Sequence, residues 1–179
     1  MADPFDTLGI EPAFVLDLPA VERRFRDLSR VVHPDRFSGS GATERRRALG
    51  KAVDASEAWR AVRDPIRRAE ALLRRAGVES DERRQPRASQ ALLMEFMELR
   101  EELSEAKAAG DARQIEALLG RVKQREAAVL GALGEGFPGL LAAAPGPEAA
   151  ARGEALLALL GELRYVRRFV DEAAPSDDL

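Results

Sequence analysis

The sequence holds a single histidine, His33, followed directly by Pro34 and Asp35. An imidazole that titrates near neutrality, close to a carboxylate, is a pairing used in general acid–base catalysis. Catalysis would need more than this pair. No second histidine, cysteine, serine nucleophile elbow or phosphate-cradling glycine loop accompanies it. The absence of cysteine also excludes a disulfide framework, a thiol nucleophile and any Cys-ligated zinc or iron–sulfur site. One histidine cannot build a His-cluster metal site, so the expectation is that the chain carries no metal and no cofactor. Two readings of His-Pro-Asp are left. It is either a helix stop followed by an Asp turn, because the residue before a proline disfavours the α region, or a recognition loop.

The residues just before it bear on that choice. Arg23, Arg26 and Arg30 recur at i, i+3, i+7. At about 100° per residue they fall opposite an apolar stripe of Leu18, Val21, Phe25, Leu28 and Val32. A charge stripe alone is an ordinary solvated face. Next to a His-Pro-Asp loop, and widened by Arg24 and Arg36, it becomes a docking surface for an acidic partner, steered electrostatically and sensitive to salt. Nucleic acid is a poor fit, since aromatic residues do not interleave the arginines and the net charge is −3.

The elements that must hold these residues are all helical; no stretch alternates in the manner of a strand. A short helix is expected over Asp3–Leu8, closed by Gly9, and a second from Asp17 to Val32. Past a Ser/Gly-rich loop, a long helix is expected from Thr43 to Arg63, burying Leu49, Ala52, Val53 and Trp59. Another runs from Pro65 to Gly77. The polar residues 78–87 read as a hinge, and residues 88–174 as a module of three helices. These are Ser89–Ala109, Asp111 to about Leu133, and Glu148–Ala173, with Gly134–Pro147 as a Gly/Pro-rich linker and residues 175–179 as a frayed tail. Charge divides along the same line. Residues 1–76 carry 15 basic and 12 acidic side chains, residues 77–179 carry 13 and 19, so the two modules suit different partners. No apolar run approaches the ~18 residues that span a bilayer and no secretory signal is evident, so a cytoplasmic protein without a membrane contact is expected.

The second candidate surface lies on Ser89–Ala109. Leu92, Phe96, Leu99, Leu103 and Ala106 form one apolar stripe, while Leu93, Met94 and Met97 fall on the other side, rimmed by Glu98 and Glu101. Such a helix is either central and buried all round, or half of it is an exposed binding patch. In the last helix, Leu156, Leu159, Leu163, Val166 and Val170 make the stripe expected to be buried, with Tyr165 roughly opposite.

Taken together, these segments resemble a known family. The arginine helix, the His-Pro-Asp loop and the long helix after it are similar to a J-domain. The stretches "FDTLGI", "RFRDLSRVVHPDRF", "AWRAVRDPIRRAEALL", "LLMEFMELREEL" and "LRYVRRF" resemble HscB, the J-domain co-chaperone of iron–sulfur cluster assembly. The resemblance implies an all-α protein with a J-domain over residues 1–77 and a scaffold-binding three-helix domain over 88–174. It implies two partners, a DnaK-type chaperone, HscA, whose ATPase the loop stimulates, and the cluster scaffold protein IscU. By position, His33, Pro34, Asp35, Arg23, Arg26, Arg30 and Arg36 would face the chaperone, Arg36 standing where many relatives have lysine. Leu93, Met94, Met97, Glu98, Glu101 and Tyr165 would face the scaffold. The implied protein is a monomeric regulator with no active site of its own. A general J-protein delivering other clients is the alternative; the Gly/Phe-rich linker or β-rich client domain that it would need is not seen in the sequence.

Overall fold

The computed structural model describes residues 2–33, 41–78 and 89–174. Seven helices form among them, and no strand: α1 (Pro4–Leu8), α2 (Leu18–Val31), α3 (Ala42–Arg63), α4 (Pro65–Arg75), α5 (Gln90–Ala109), α6 (Ala112–Ala142) and α7 (Pro147–Ala173). They sort into two compact units, Met1–Val78 and Glu79–Leu179. The tail expected at 175–179, and all of the hinge expected at 78–87 except Val78, lie outside the described residues.

Helix starts follow from the aspartates and serine that precede them. Asp3, Asp17, Asp64, Ser89 and Asp111 each accept a hydrogen bond from a backbone N–H of the helix that follows. These groups have no intrahelical partner and would otherwise be left to water. Gly9 and Gly110, at φ 61° and 66°, close α1 and α5 in the left-handed conformation that glycine adopts without strain.

In the first unit, α2 and α3 form a hairpin whose register is marked by Phe25 stacked on Trp59, ring centroids 5.7 Å apart. The inner face of α3 differs from the one expected. Ala48, Ala55, Ala58, Ala61 and Val62 are buried, whereas Leu49 and Val53 are 53% and 48% exposed, and Ala52 and Trp59 are half-buried. Two helices, α1 and α4, press on α3 in addition to α2, and alanine lets them approach closely. Apolar size therefore misreports which face is inside.

Arg68 is the buried charged residue of the described core, and sequence patterning did not single it out. Its guanidinium donates to the Phe14 carbonyl and lies 5.3 Å from the centre of the Phe14 ring. It thus clamps the α1–α2 connection to α4. Burial lowers its pKa, opposed by the nearby Asp64 carboxylate. On the surface, Arg75 donates to Asp3 at 2.7 Å and to Asp6 at 3.0 Å, joining the end of α4 to the start of α1.

In the second unit, Leu92, Phe96, Leu99 and Leu103 of α5 pack with Leu118 and Val122 of α6 and with Val166, Phe169 and Ala173 of α7. The linker expected at Gly134–Pro147 is mostly helix: α6 continues to Ala142 with Pro138 inside it. A proline ring mid-helix removes one hydrogen bond and crowds the backbone carbonyl four positions earlier, here that of Gly134. Val129, Leu133, Phe137 and Leu140 are buried along this stretch and offset the lost bond. The glycines here serve close packing rather than breaking, since a Cβ on Gly136 would lie 2.8 Å from a Leu156 methyl.

Substituting Arg68 by Ala leaves the Phe14 carbonyl without its donor and removes the stacked guanidinium. A loss of about 2 kcal/mol in unfolding free energy is expected, against less than about 0.5 kcal/mol for Ala at the exposed neighbour Arg67. Urea unfolding followed by circular dichroism measures both.

Candidate docking surfaces

The first surface is the outer face of α2. Asp17 caps the helix by accepting from Ala20 N at 3.0 Å, Pro19 lies in its first turn, and Val21 and the following Val32 are buried. This anchoring turns Arg23, Arg26 and Arg30 outward, and all three are exposed. Arg26 pairs with Glu22 at 2.6 Å and Arg30 with Asp27 at 2.7 Å, both on their own helix. Exposed pairs of this kind contribute about 0.3–0.5 kcal/mol each, so an incoming carboxylate displaces them at little cost. Arg24 does not widen the rail as expected. Its Nε donates to the Leu8 carbonyl at 2.7 Å, and its guanidinium lies where a side chain on Gly9 would go. His33 is exposed just beyond the end of α2, and Pro34, Asp35 and Arg36 lie outside the described residues.

The second surface is the outer face of α5, and it follows from how the flanks of that helix are used. On one flank, Glu95 and Glu102 reach Arg125 and Arg121 of α6, at 3.9 Å and 3.1 Å. Arg125 also bonds Glu162 of α7, and the two carboxylates hold its pKa above the ordinary value, the Glu162 hydrogen bond first. On the other flank, Arg100 pairs with Glu172 of α7 at 3.0 Å and Lys107 donates to the Glu172 carbonyl. The inner face carries the apolar stripe. What is left over points to solvent: Leu93, Met94 and Met97, at 39%, 53% and 63% exposure, with Glu98 and Glu101 also exposed. Met94, Met97, Glu98 and Glu101 stand at i, i+3, i+4, i+7, a single face. The fully enclosed reading of α5 is therefore set aside in favour of the exposed patch.

Tyr165 is only half outward. Its ring lies 5.8 Å from Phe96 and 5.9 Å from the Arg168 guanidinium, and it packs against the edge of the core. Because α7 packs on both α5 and α6, its buried arc is wider than one stripe. Leu157, Leu160 and Phe169 join it, while Leu159 and Val170 are half-buried. Phe96 thus links Tyr165 to the helix that carries the patch. Among the described residues no cluster of three His, Cys, Asp or Glu could hold a metal ion, and no helix is long and apolar enough to cross a membrane.

The family model described as the HSCB C-terminal oligomerisation domain matches residues 88–174. Two solved structures match nearly the whole chain. Chaperone HscB from Vibrio cholerae is 26% identical with a TM-score of 0.80, the alignment covering 96% of this chain and 95% of that one. Human co-chaperone protein HscB, at 22% identity, shows the same fold with a TM-score of 0.82, over 97% of this chain and 81% of that one.

Met97→Ser is expected to change unfolding free energy by less than about 0.5 kcal/mol, whereas Phe96→Ala, one residue away, costs about 3–5 kcal/mol. Thermal or chemical denaturation of the two variants distinguishes a surface methionine from a core one.

Proposed function

We infer that the chain is a member of the HscB family of co-chaperones, which serve iron–sulfur cluster assembly and are not themselves enzymes. From that premise we propose that it binds an IscU-type scaffold protein through the outer face of α5, delivers it to an HscA/DnaK-type chaperone, and stimulates that chaperone's ATPase through His33-Pro34-Asp35. The observation that carries the reading is the exposure of Leu93, Met94 and Met97 on a helix whose other sides are fully engaged. Monomers seldom leave a methionine-rich apolar patch in water without a partner for it. Glu98 and Glu101 form its polar rim and favour a partner with basic residues around an apolar socket. Tyr165, held against Phe96, adds an aromatic edge.

Chemically the chain does no bond-breaking of its own. Arg23, Arg26 and Arg30 attract and orient an acidic face of the chaperone, which speeds encounter more than it strengthens the complex. His33, Pro34 and Asp35, with Arg36 beside them, then make contacts that favour the chaperone's hydrolysis-competent state, and the shift is limited by their differential affinity for the two states. Holding the scaffold on the same chain raises its effective concentration beside the chaperone.

Two substitutions separate the halves of this reading. His33→Gln abolishes stimulation of the chaperone ATPase while the far-ultraviolet circular dichroism and scaffold affinity stay at wild-type values; retained stimulation contradicts the assignment. Replacing Leu93, Met94 and Met97 together by Ala weakens scaffold binding by at least about tenfold, read by calorimetry, with basal stimulation of the chaperone unchanged.

A further inference from the structure

The chain has no cysteine, so all of its sulfur is in three methionines. Met1 lies outside the described residues. Met94 and Met97 stand three positions apart on α5 and are 53% and 63% exposed. No sulfur is buried among the described residues, and both described thioethers stand on the face that α5 leaves to solvent. A thioether in water is open to two-electron oxidation. A peroxide transfers one oxygen atom to the sulfur lone pair; the O–O bond breaks, the S–O bond forms and water leaves. The sulfur loses the two electrons that the peroxide gains. A polar group with a strong acceptor then stands where an apolar one stood.

Where the pair stands decides what that change does. Phe96 and Leu99, its neighbours in sequence, belong to the core, whereas an oxygen on Met94 or Met97 adds nothing to the interior. The new acceptors stand one turn from two carboxylates, Glu98 being four positions from Met94 and Glu101 four from Met97. Ionised carboxylates accept hydrogen bonds and donate none, and Leu93 has no donor either. Arg100, three positions from Met97, is committed to Glu172 of α7 at 3.0 Å. In the free chain, water satisfies a sulfoxide at either position. Beneath a docked partner that water is lost, and no side chain of the patch replaces it.

We propose that Met94 and Met97 are a reversible oxidation site on the scaffold-docking face: as thioethers they hold the partner, and as sulfoxides they release it with the fold intact. The inference rests on the proposed role of the α5 patch. The oxidant is a peroxide. The reverse step needs a methionine sulfoxide reductase and a dithiol, which becomes a disulfide as the oxygen leaves in water. The exposure that admits the oxidant admits the reductase as well.

The test uses the full chain, hydrogen peroxide destroyed with catalase after reaction, and a purified IscU-type scaffold that has not met the oxidant. Peptide mass mapping counts the oxygens added at Met94 and Met97, calorimetry reads scaffold affinity, and circular dichroism reads the Tm. The doubly oxidised chain is expected to bind at least about tenfold more weakly, with its Tm within about 2 °C of the untreated value. Reductases for both sulfoxide epimers, with dithiothreitol, are expected to restore the affinity. The double variant Met94→Leu/Met97→Leu serves as its own reference. Whatever its untreated affinity, peroxide is expected to change it by less than about twofold, Met1 being its one remaining sulfur. Unchanged affinity of the doubly oxidised chain overturns the inference and leaves the proposed function standing. So does an equal loss in the leucine variant, a fall of several degrees in Tm, or failure of both positions to take up oxygen while Met1 does. If the untreated chain does not bind the scaffold, the proposed function falls, and this inference with it.

Discussion

Phe96 is packed between two neighbouring helices, and the second unit depends on that arrangement. Its ring lies 6.4 Å from Phe169 and 5.8 Å from Tyr165, and it shares a core with Leu118 and Val122. A helix packed against only two others can bury one arc of its surface, and its flanks are then taken by ion pairs to those two neighbours. The remaining arc has nowhere to go but solvent. If the sequence places methionine and leucine on that arc, the fold itself presents them. The patch on α5 is thus a consequence of bundle size as much as of the residues it carries.

The first unit solves a similar problem with different parts. Phe25 on Trp59 joins α2 to α3, alanines admit α1 and α4 at short range, and Arg68 holds the loop that leads into α2. The rail faces outward because Val21 and Val32 face inward and because Arg24 is turned aside to the end of α1. Stability and display are therefore properties of the same helices read from opposite sides. Neither surface needs a strained backbone, and no non-glycine residue among those described has positive φ.

Much of this was legible in the sequence, and what was not has physical causes. Helix starts at Asp3, Asp17, Ser89 and Asp111 could be read because capping is local chemistry within three residues. The buried stripes of α2 and α5 could be read because their apolar residues recur at three- and four-residue spacing, although on α5 only the structure decides which of two apolar sides is inside. On α3 the rule that larger apolar side chains lie inside failed, since close helix approach selects alanine and frees Leu49 and Val53 for the surface. Gly134–Pro147 read as a linker because its glycines and prolines are local breakers, whereas the burial of Leu133, Phe137 and Leu140, a tertiary effect, carries α6 on to Ala142. Tyr165 and Phe169 could not be ranked from periodicity alone, because α7 meets two neighbours and buries a broad arc. Arg68 gave no sign at all; a buried guanidinium that donates to a carbonyl 54 residues away in sequence has no local signature.

On the proposed function, one chain holds two different proteins at once, through separate faces in separate units. Energy transfer between a donor on an IscU-type scaffold and an acceptor on an HscA-type chaperone, measured in ATP with and without this chain, reads that simultaneous binding. A transfer signal is expected at scaffold concentrations too low for the two to associate alone, appearing only when the chain is added and rising to a one-to-one stoichiometry. A contradicting result would be displacement, with added scaffold releasing the chain from the chaperone and no transfer at any concentration of the three.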